Sequence, residues 1–301
     1  MATTTGSHPK ELWPGIKKIF GCTYDEKALI CSMVFDETSS DKAYEEYVEE
    51  TGYGLAPVKA EGASVIYDTD IQGFVARLTN VTYGLGAKVT KEAMSDNQYG
   101  PVATKKAKKL ARSMRQTKEN VFANILNRAF DSGYLGGDAK ELIATDHPTL
   151  SGPQSNELTV AADLSEASLE DSLTQIRGFK DSRGLRIQAK GMKLIVASAN
   201  EFNATRILSS TNQSGTANND VNAMRTMGML PGGTVIWDYL TDPDAWFIKT
   251  DVEDGLIHQK RWGYEFTQDN DFDTTNACMK AVERYAAGWA DWRGVFGSAG
   301  A

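Results

Sequence analysis

Between Pro101 and Gly133 the chain runs for about thirty residues without a glycine or proline. A helix over Gly100–Phe130 rises ~1.5 Å per residue and is a rod roughly 45 Å long. Ordinary globular helices average about 12 residues. The rest of the chain has to be arranged around that rod. Pro101 suits a first helical position, because its missing N–H is one of the donors a helix start leaves unpaired. Gly133, after Asp131-Ser132, supplies the stop. Leu110, Met114, Thr117, Val121 and Ile125 fall at three/four spacing and predict one stripe facing a core. Phe122, Leu126 and Phe130 widen it in the second half.

The charge on the rod is one-sided. Lys105, Lys106, Lys108, Lys109, Arg112, Arg115 and Lys118 follow one another with no acidic residue among them. Like charges at i,i+4 repel mildly, and cations near a helix N-terminus oppose its dipole. A solvated basic face, an acidic partner elsewhere in an assembly, and nucleic acid are the three readings. The complement in charge is the Asp36–Glu50 segment, where Asp36, Glu37, Asp41, Glu45, Glu46, Glu49 and Glu50 face Lys42 alone. Tyr44, Tyr47 and Val48 give it a weak helical stripe. Whether rod and acidic segment meet within one chain or between chains stays open.

A net charge of -8 over 301 residues argues against a dedicated nucleic-acid-binding protein, which needs a basic surface. Cys22, Cys31 and Cys278 lack metal spacing and read as reduced thiols of a protein made in a cytosol. The start, Met1-Ala2-Thr3-Thr4-Thr5-Gly6, has no apolar signal core, and no window reaches the length of a membrane span.

Residues 1–35 lack a domain pattern; fully extended at ~3.3 Å per residue they would reach about 115 Å. Ala63–Tyr67 and Phe74–Tyr83 are β-prone runs flanking the turn chemistry of Asp68–Gly73, so a long hairpin is predicted there. An isolated hairpin is marginal in water and needs something to lie on. The pair Asp68 and Asp70 reads as a solvated turn rather than a metal site. Thr90–Tyr99 is predicted as a short helix. Leu142–His147 reads as a strand entering a loop. Ser165 caps a helix that carries Leu169, Leu173 and Ile176. A strand at Lys193–Ala199 and a helix at Asn200–Ser209 follow, then a polar loop at Gln213–Asn222. Strands are predicted at Gly233–Tyr239, Ala245–Lys249 and Leu256–Phe266, and a long strand-like segment at Ala277–Phe296. This is an α+β chain. Asp269–Asp273 starts like a calcium loop, but Thr274 and Lys280 stand where such a loop needs Gly and Glu.

No phosphate loop, dinucleotide fingerprint, His-Glu-x-x-His or nucleophile elbow is present. Of His8, His147 and His258, only His147, after Asp146, has an acidic neighbour to weigh as acid/base chemistry. Next to Pro148 it reads as a structural turn histidine. No catalytic, cofactor-binding or metal-ligating residue is expected, although a hydrolase site can assemble from distant residues.

The order of elements is distinctive, and short motifs recur along it: Gly84-Leu85-Gly86 with Val89-Thr90, Asn127-Arg128-Ala129-Phe130, Ala144-Thr145-Asp146-His147-Pro148, Asp181-Ser182-Arg183-Gly184-Leu185 and Asp291-Trp292-Arg293-Gly294. In this the chain resembles the major capsid protein of tailed bacteriophages, with its Hong Kong 97-type (HK97-like) fold. More narrowly, it is similar to the Mu-like major head subunit type. The resemblance implies an N-terminal arm (1–52), an extended β-hairpin loop (53–90), a peripheral domain with the spine helix (91–160), a mixed axial domain (161–266) and a return to the peripheral domain (267–301). It implies an icosahedral shell of hexamers and pentamers around packaged double-stranded DNA, found in the virion and assembled in the host bacterial cytoplasm.

The implied partners are other copies of the chain, a scaffolding protein, a portal protein, a decoration protein and DNA by non-specific contact; no membrane and no cofactor are implied. The chain lacks the long helical scaffolding extension of some members, and Met1 favours a separate scaffolding protein. Lys59 and Lys88 flank the hairpin, but no motif supports the Lys–Asn crosslink some members form. Inter-subunit contact candidates are Asp68, Asp70, Ile71 and Phe74 on the hairpin, Lys105, Lys109, Arg112 and Arg115 on the rod, and Glu45, Glu46 and Glu49 on the acidic segment. An encapsulin-like compartment shell and a soluble enzyme such as a hydrolase are the alternative readings.

Overall fold

A computed structural model describes residues 13–90, 92, 99–212, 221–271 and 276–301. The elements begin with helices α1 (Trp13–Tyr24) and α2 (Cys31–Val34), then strands β1 (Asp36–Ser39), β2 (Tyr44–Glu50), β3 (Gln72–Thr79) and β4 (Val81–Val89). The rod is α3 (Tyr99–Asn127). It is followed by α4 (Glu166–Arg177), β5 (Gly191–Val196), α5 (Glu201–Ser209), α6 (Ala223–Thr226), β6 (Thr234–Ile236) and β7 (Trp246–Thr250). The chain ends with β8 (Leu256–Asn270), β9 (Ala277–Trp289) and β10 (Val295–Ser298).

The rod lies on a four-stranded sheet ordered β1-β8-β9-β4. Along β9, Met279, Ala281, Glu283 and Tyr285 alternate inward, as a strand with one covered face requires. The first half of α3 presents Ala103, Ala107 and Ala111 at four-residue spacing. Such small side chains let α1 lie close, so that Ile16, Phe20 and Tyr24 join Leu110, Met114, Phe266 and Met279 in one core. Each of these large apolar side chains stabilises the fold by about 1.5–3 kcal/mol when buried. The second half of α3 buries Phe122, Ala123 and Leu126 among Phe35, Trp237, Phe247 and Tyr285. Val121, Ile125 and Phe130 of the expected stripe are half-buried at its edge. Lys118 and Glu119 are buried inside it.

A second sheet, ordered β10-β7-β5-β6, carries α4 and its own core of Leu169, Leu173, Ile176, Leu194, Trp246, Ile248 and Phe296. Ser165 caps α4 as its sequence predicts. Its hydroxyl accepts from the Ser168 N–H, and Ser168 Oγ accepts from the Ser165 N–H. β10 joins this second sheet directly after β9 leaves the first, through a short 3-10 turn at Trp292–Gly294. At that crossing Gly294 meets Gly255 so closely that a Cβ on Gly294 would lie 2.2 Å from the Gly255 Cα.

The hairpin differs from its expectation. Ala63–Tyr67 forms no strand. The ribbon pairs β3 with β2, the acidic segment itself, in the register Tyr44↔Thr79, Glu46↔Arg77 and Val48↔Val75. The helical stripe read at Tyr44, Tyr47 and Val48 is therefore a strand; its Tyr and Val are β-prone, and its partner lies far along the chain. The run Phe74–Tyr83 breaks at Asn80, where the chain passes from ribbon to main sheet. Asn80 is buried, its amide donating to Ser40 Oγ and the Lys42 carbonyl and accepting from Gln259 Nε2.

Leu142–His147 is no strand; it carries a single bridge, His147 to Gln154. β8 continues past Phe266 to Asn270, and Ala277–Phe296 divides into β9, the 3-10 turn and β10. Residues 1–12 of the expected arm, most of the Thr90–Tyr99 helix and of the Gln213–Asn222 loop, and part of the Asp269–Asp273 segment lie outside the described residues.

Candidate assembly surfaces

The ribbon is fixed at its root. Glu49 Oε1 accepts from Ser182 Oγ at 2.5 Å and lies 3.4 Å from Arg293 Nη1. The buried Arg293 also reaches Asp291 at 3.1 Å and donates through Nε to the Lys180 carbonyl. Gly137 sits against the ribbon backbone, where a Cβ would come 2.8 Å from the Val75 carbonyl oxygen.

Asp70 Oδ1 then gathers Thr51 Oγ1 at 3.0 Å and the N–H groups of Gly52 and Ile71, both at 2.9 Å. Asp68 accepts from the Gly54 N–H (2.8 Å), its neighbour Thr69 N–H (2.8 Å) and Arg183 Nη1 (2.7 Å). The Gly54 hydrogen bond comes first among the causes that hold the Asp68 carboxyl below its ordinary range. Both aspartates thus organise their own loop. Among the described residues, no group of three or more His, Cys, Asp or Glu could hold a metal ion.

Beyond this clasp the loop exposes apolar residues. Leu55, Val58, Val65, Ile66, Tyr67 and Ile71 are all more than half exposed, Val58 completely. Phe74, on β3, is also exposed.

Among the described residues, the rod and the acidic segment form no ion pair with each other. Asp36 pairs with Lys249, Glu37 with Lys260, Asp41 with Arg261, Glu45 with Lys42, Glu46 with Arg77 and Glu49 with Arg293. Of the seven rod cations, Lys118 is buried against Glu283, Arg115 donates to the Ala28 carbonyl and Lys106 to the Lys88 carbonyl. Arg112 lies 3.6 Å from Glu26. Lys105, Lys108 and Lys109 are exposed and form no ion pair among the described residues.

The buried polar groups are structural. Glu119 accepts from the N–H groups of Ile30 and Cys31 and from Trp237 Nε1, tying α2 to the rod; burial pushes its carboxyl up. His147 is fully buried, with Nδ1 2.6 Å from Asp138 Oδ2 and Nε2 3.1 Å from Asn156 Oδ1. Its ring stacks on Trp292 at 4.3 Å. The partner of His147 is thus Asp138, not the preceding Asp146, whose carboxylate pairs with Lys140.

Asn156 is the hub that no sequence pattern marks. Its amide donates to the carbonyls of Leu142, Trp292 and Val295, and its oxygen accepts from the Ala144 N–H. A loop asparagine followed by an acidic residue carries no signal of such a role. Among the described residues, no helix is long and apolar enough to cross a membrane.

Comparison with known proteins gives three results. The model of a family described as phage capsid protein matches residues 76–298. A search of curated protein sequences finds no match. Solved structures share the fold at low identity. A virus-like particle from Pyrococcus furiosus aligns with a TM-score of 0.55 at 10% identity, covering 96% of this chain and 99% of that one. The capsid of a native GTA particle aligns at 0.54 and 12% identity, covering 90% of each chain. The bacteriophage JBD30 capsid decorated with minor capsid protein trimers aligns at 0.54 and 12%, covering 71% of this chain and 91% of that one.

Proposed function

The chain belongs to the phage capsid protein family and is a structural capsid protein rather than an enzyme, and we propose that it is the major head subunit of a tailed phage. Copies close into an icosahedral shell of pentamers and hexamers around packaged double-stranded DNA. The unit built on β5, β7 and α4 is the axial domain, and the unit built on α3, β8 and β9 is the peripheral one. A scaffolding protein and a portal protein act during assembly. The decorated JBD30 capsid supports a decoration protein as a further partner.

The observation that carries this reading is the ribbon with its exposed apolar loop. Leu55, Val58, Val65, Ile66 and Tyr67 find no core in their own subunit, and an apolar patch of this kind marks an interaction site. The ribbon, redrawn as residues 44–79, lies across a neighbouring copy, with Ile71 and Phe74 toward that copy and Asp68 and Asp70 shaping the loop. Because the Gly54 N–H already reaches Asp68, Leu55–Tyr67 can be replaced by a short Gly-Ser linker without opening the clasp. Electron microscopy of the purified unaltered chain should show closed shells. The linker variant should give folded subunits and no shells; normal shells from it would sink the ribbon's role.

A further inference from the structure

The acidic strand β2 is occupied within its own subunit, so the basic face of α3 is left without the complement that the sequence offered it. Lys105, Lys108, Lys109 and Arg112 are exposed on the side of the rod opposite Ala103, Ala107, Leu110, Ala111 and Met114. Four cations within eight residues span about 10 Å of helix axis. Lys105 and Lys109, and Lys108 and Arg112, repel as i,i+4 pairs. Within the subunit, the Arg112–Glu26 contact, at 3.6 Å, is the ion pair this face makes among the described residues. α1 packs on the opposite, buried side of the same half of the rod, so that it leaves this face uncovered. This cationic ridge belongs to a chain whose net charge is -8.

We propose that the outer face of α3, Lys105, Lys108, Lys109 and Arg112, docks the phosphate backbone of duplex DNA without regard to sequence. Duplex DNA carries one charge per ~1.7 Å of axis, so it faces such a ridge with more anions than the ridge has cations at any register. Three of the four central cations are lysines, flexible point charges that suit phosphate neutralisation rather than bidentate recognition. The exposed residues of α3 from Lys105 to Asn120 include no aromatic ring. Single-strand binders stack bases on such rings, so the ridge fits an intact duplex. The identity of the polyanion rests on the capsid reading, while the binding test below does not require a shell.

The test uses full-length subunits kept unassembled, and fluorescence anisotropy of a 30-base-pair duplex of mixed sequence. With about four phosphates neutralised, log K should fall with log salt at a slope near -3.6. That is a loss on the order of 100-fold between 50 and 200 mM salt. Replacing Lys105, Lys108, Lys109 and Arg112 together by Gln should remove most of that slope. A control replaces four cations already paired elsewhere, Lys42, Arg77, Lys140 and Lys260. It removes the same charge, taking the net from -8 to -12 as the first variant does (-8 minus four), and should keep the slope.

Gln is a good helix former at exposed positions, and circular dichroism checks that both variants are folded. The salt slope of the unaltered chain tests the proposal without any variant. Equal slopes in the two variants, or no salt-dependent binding by the unaltered chain, would overturn it. So would several-fold tighter binding of a single strand, or of polyglutamate at equal charge, which would assign the ridge to an acidic protein partner. Absence of shells from the unaltered chain strikes the capsid reading and leaves the binding result standing.

Discussion

Lys118 Nζ lies 2.6 Å from Glu283 Oε1 beneath the spine helix, with neither side chain more than 5% exposed. Tyr24 donates its hydroxyl to the other carboxylate oxygen at 2.9 Å, and Lys118 stands over the Tyr285 ring. One ion pair thus joins α1, α3 and β9. Removing one partner leaves a buried charge uncompensated, which costs about 3–5 kcal/mol, whereas replacing both by apolar residues is often neutral. Lys118→Met should therefore lower subunit stability by that amount in urea denaturation. The double variant Lys118→Met/Glu283→Leu should recover most of it.

His258 is buried edge-on to Phe122 with ring centroids 4.7 Å apart. Lys118, Lys260 and Glu37 are the charged groups around it. Burial first, then Lys118, lower its pKa from 6.5 to about 4. The folded chain keeps this ring neutral while the unfolded chain takes up a proton below pH 6.5. Its contribution is then whole above that value and is lost as pH falls to about 4, a difference of about 3 kcal/mol. His258→Leu should flatten the stability profile between pH 7 and 4 relative to the unaltered subunit. Parallel profiles would contradict a neutral buried imidazole.

Cys22 and Cys31 should separate by reactivity. Burial and the nearby Glu119 push the Cys31 thiol up to about 12, while Cys22 is exposed. The thiolate is the reacting species. At pH 8 a maleimide followed by mass spectrometry should label Cys22 in the native subunit and Cys31 only after unfolding. Native labelling of Cys31 would mean that α2 leaves the rod far more readily than its packing indicates.

His147 should matter for folding and for nothing else. His147→Ala leaves Asp138 and Asn156 short of a partner and opens a cavity beside Trp292. A destabilisation of about 2–4 kcal/mol is expected, read in urea denaturation. Subunits that do fold should assemble in proportion to their amount. A hydrolase turnover lost in this variant would contradict the structural role.

The rod, the cap at Ser165 and the short apolar runs of the second sheet are local patterns, and the chain displays them openly. The ribbon was legible as a ribbon but not in its partner. β2 and β3 are separated by 21 residues, and Tyr44, Tyr47 and Val48 fit a weak helix period as well as a strand until a partner is known. The basic and acidic runs were equally plain, but their pairing was not. Glu46 meets Arg77 across the β2–β3 ribbon, and Glu49 meets Arg293 where the ribbon root reaches the 3-10 turn, pairings that only the folded chain creates. The polar hubs at Asn80 and Asn156 were invisible for a related reason. Each bonds carbonyls or side chains supplied by distant segments, and an isolated Asn in a loop reads only as turn chemistry.

The passage of the C-terminal segment from β9 to β10 has a mechanical consequence. One unbroken run of backbone enters the sheet beneath the rod and leaves through the sheet of the second unit, pinned on the way by Asn156 and by the Gly255–Gly294 crossing. Outward pressure on a shell wall built from this chain therefore pulls along covalent bonds and along hydrogen bonds loaded in shear. It does not peel two lobes apart at a surface held only by contact. Such a joint ties the two sheets by the chain itself, so that separating them has to break strand hydrogen bonds and not side-chain contacts alone.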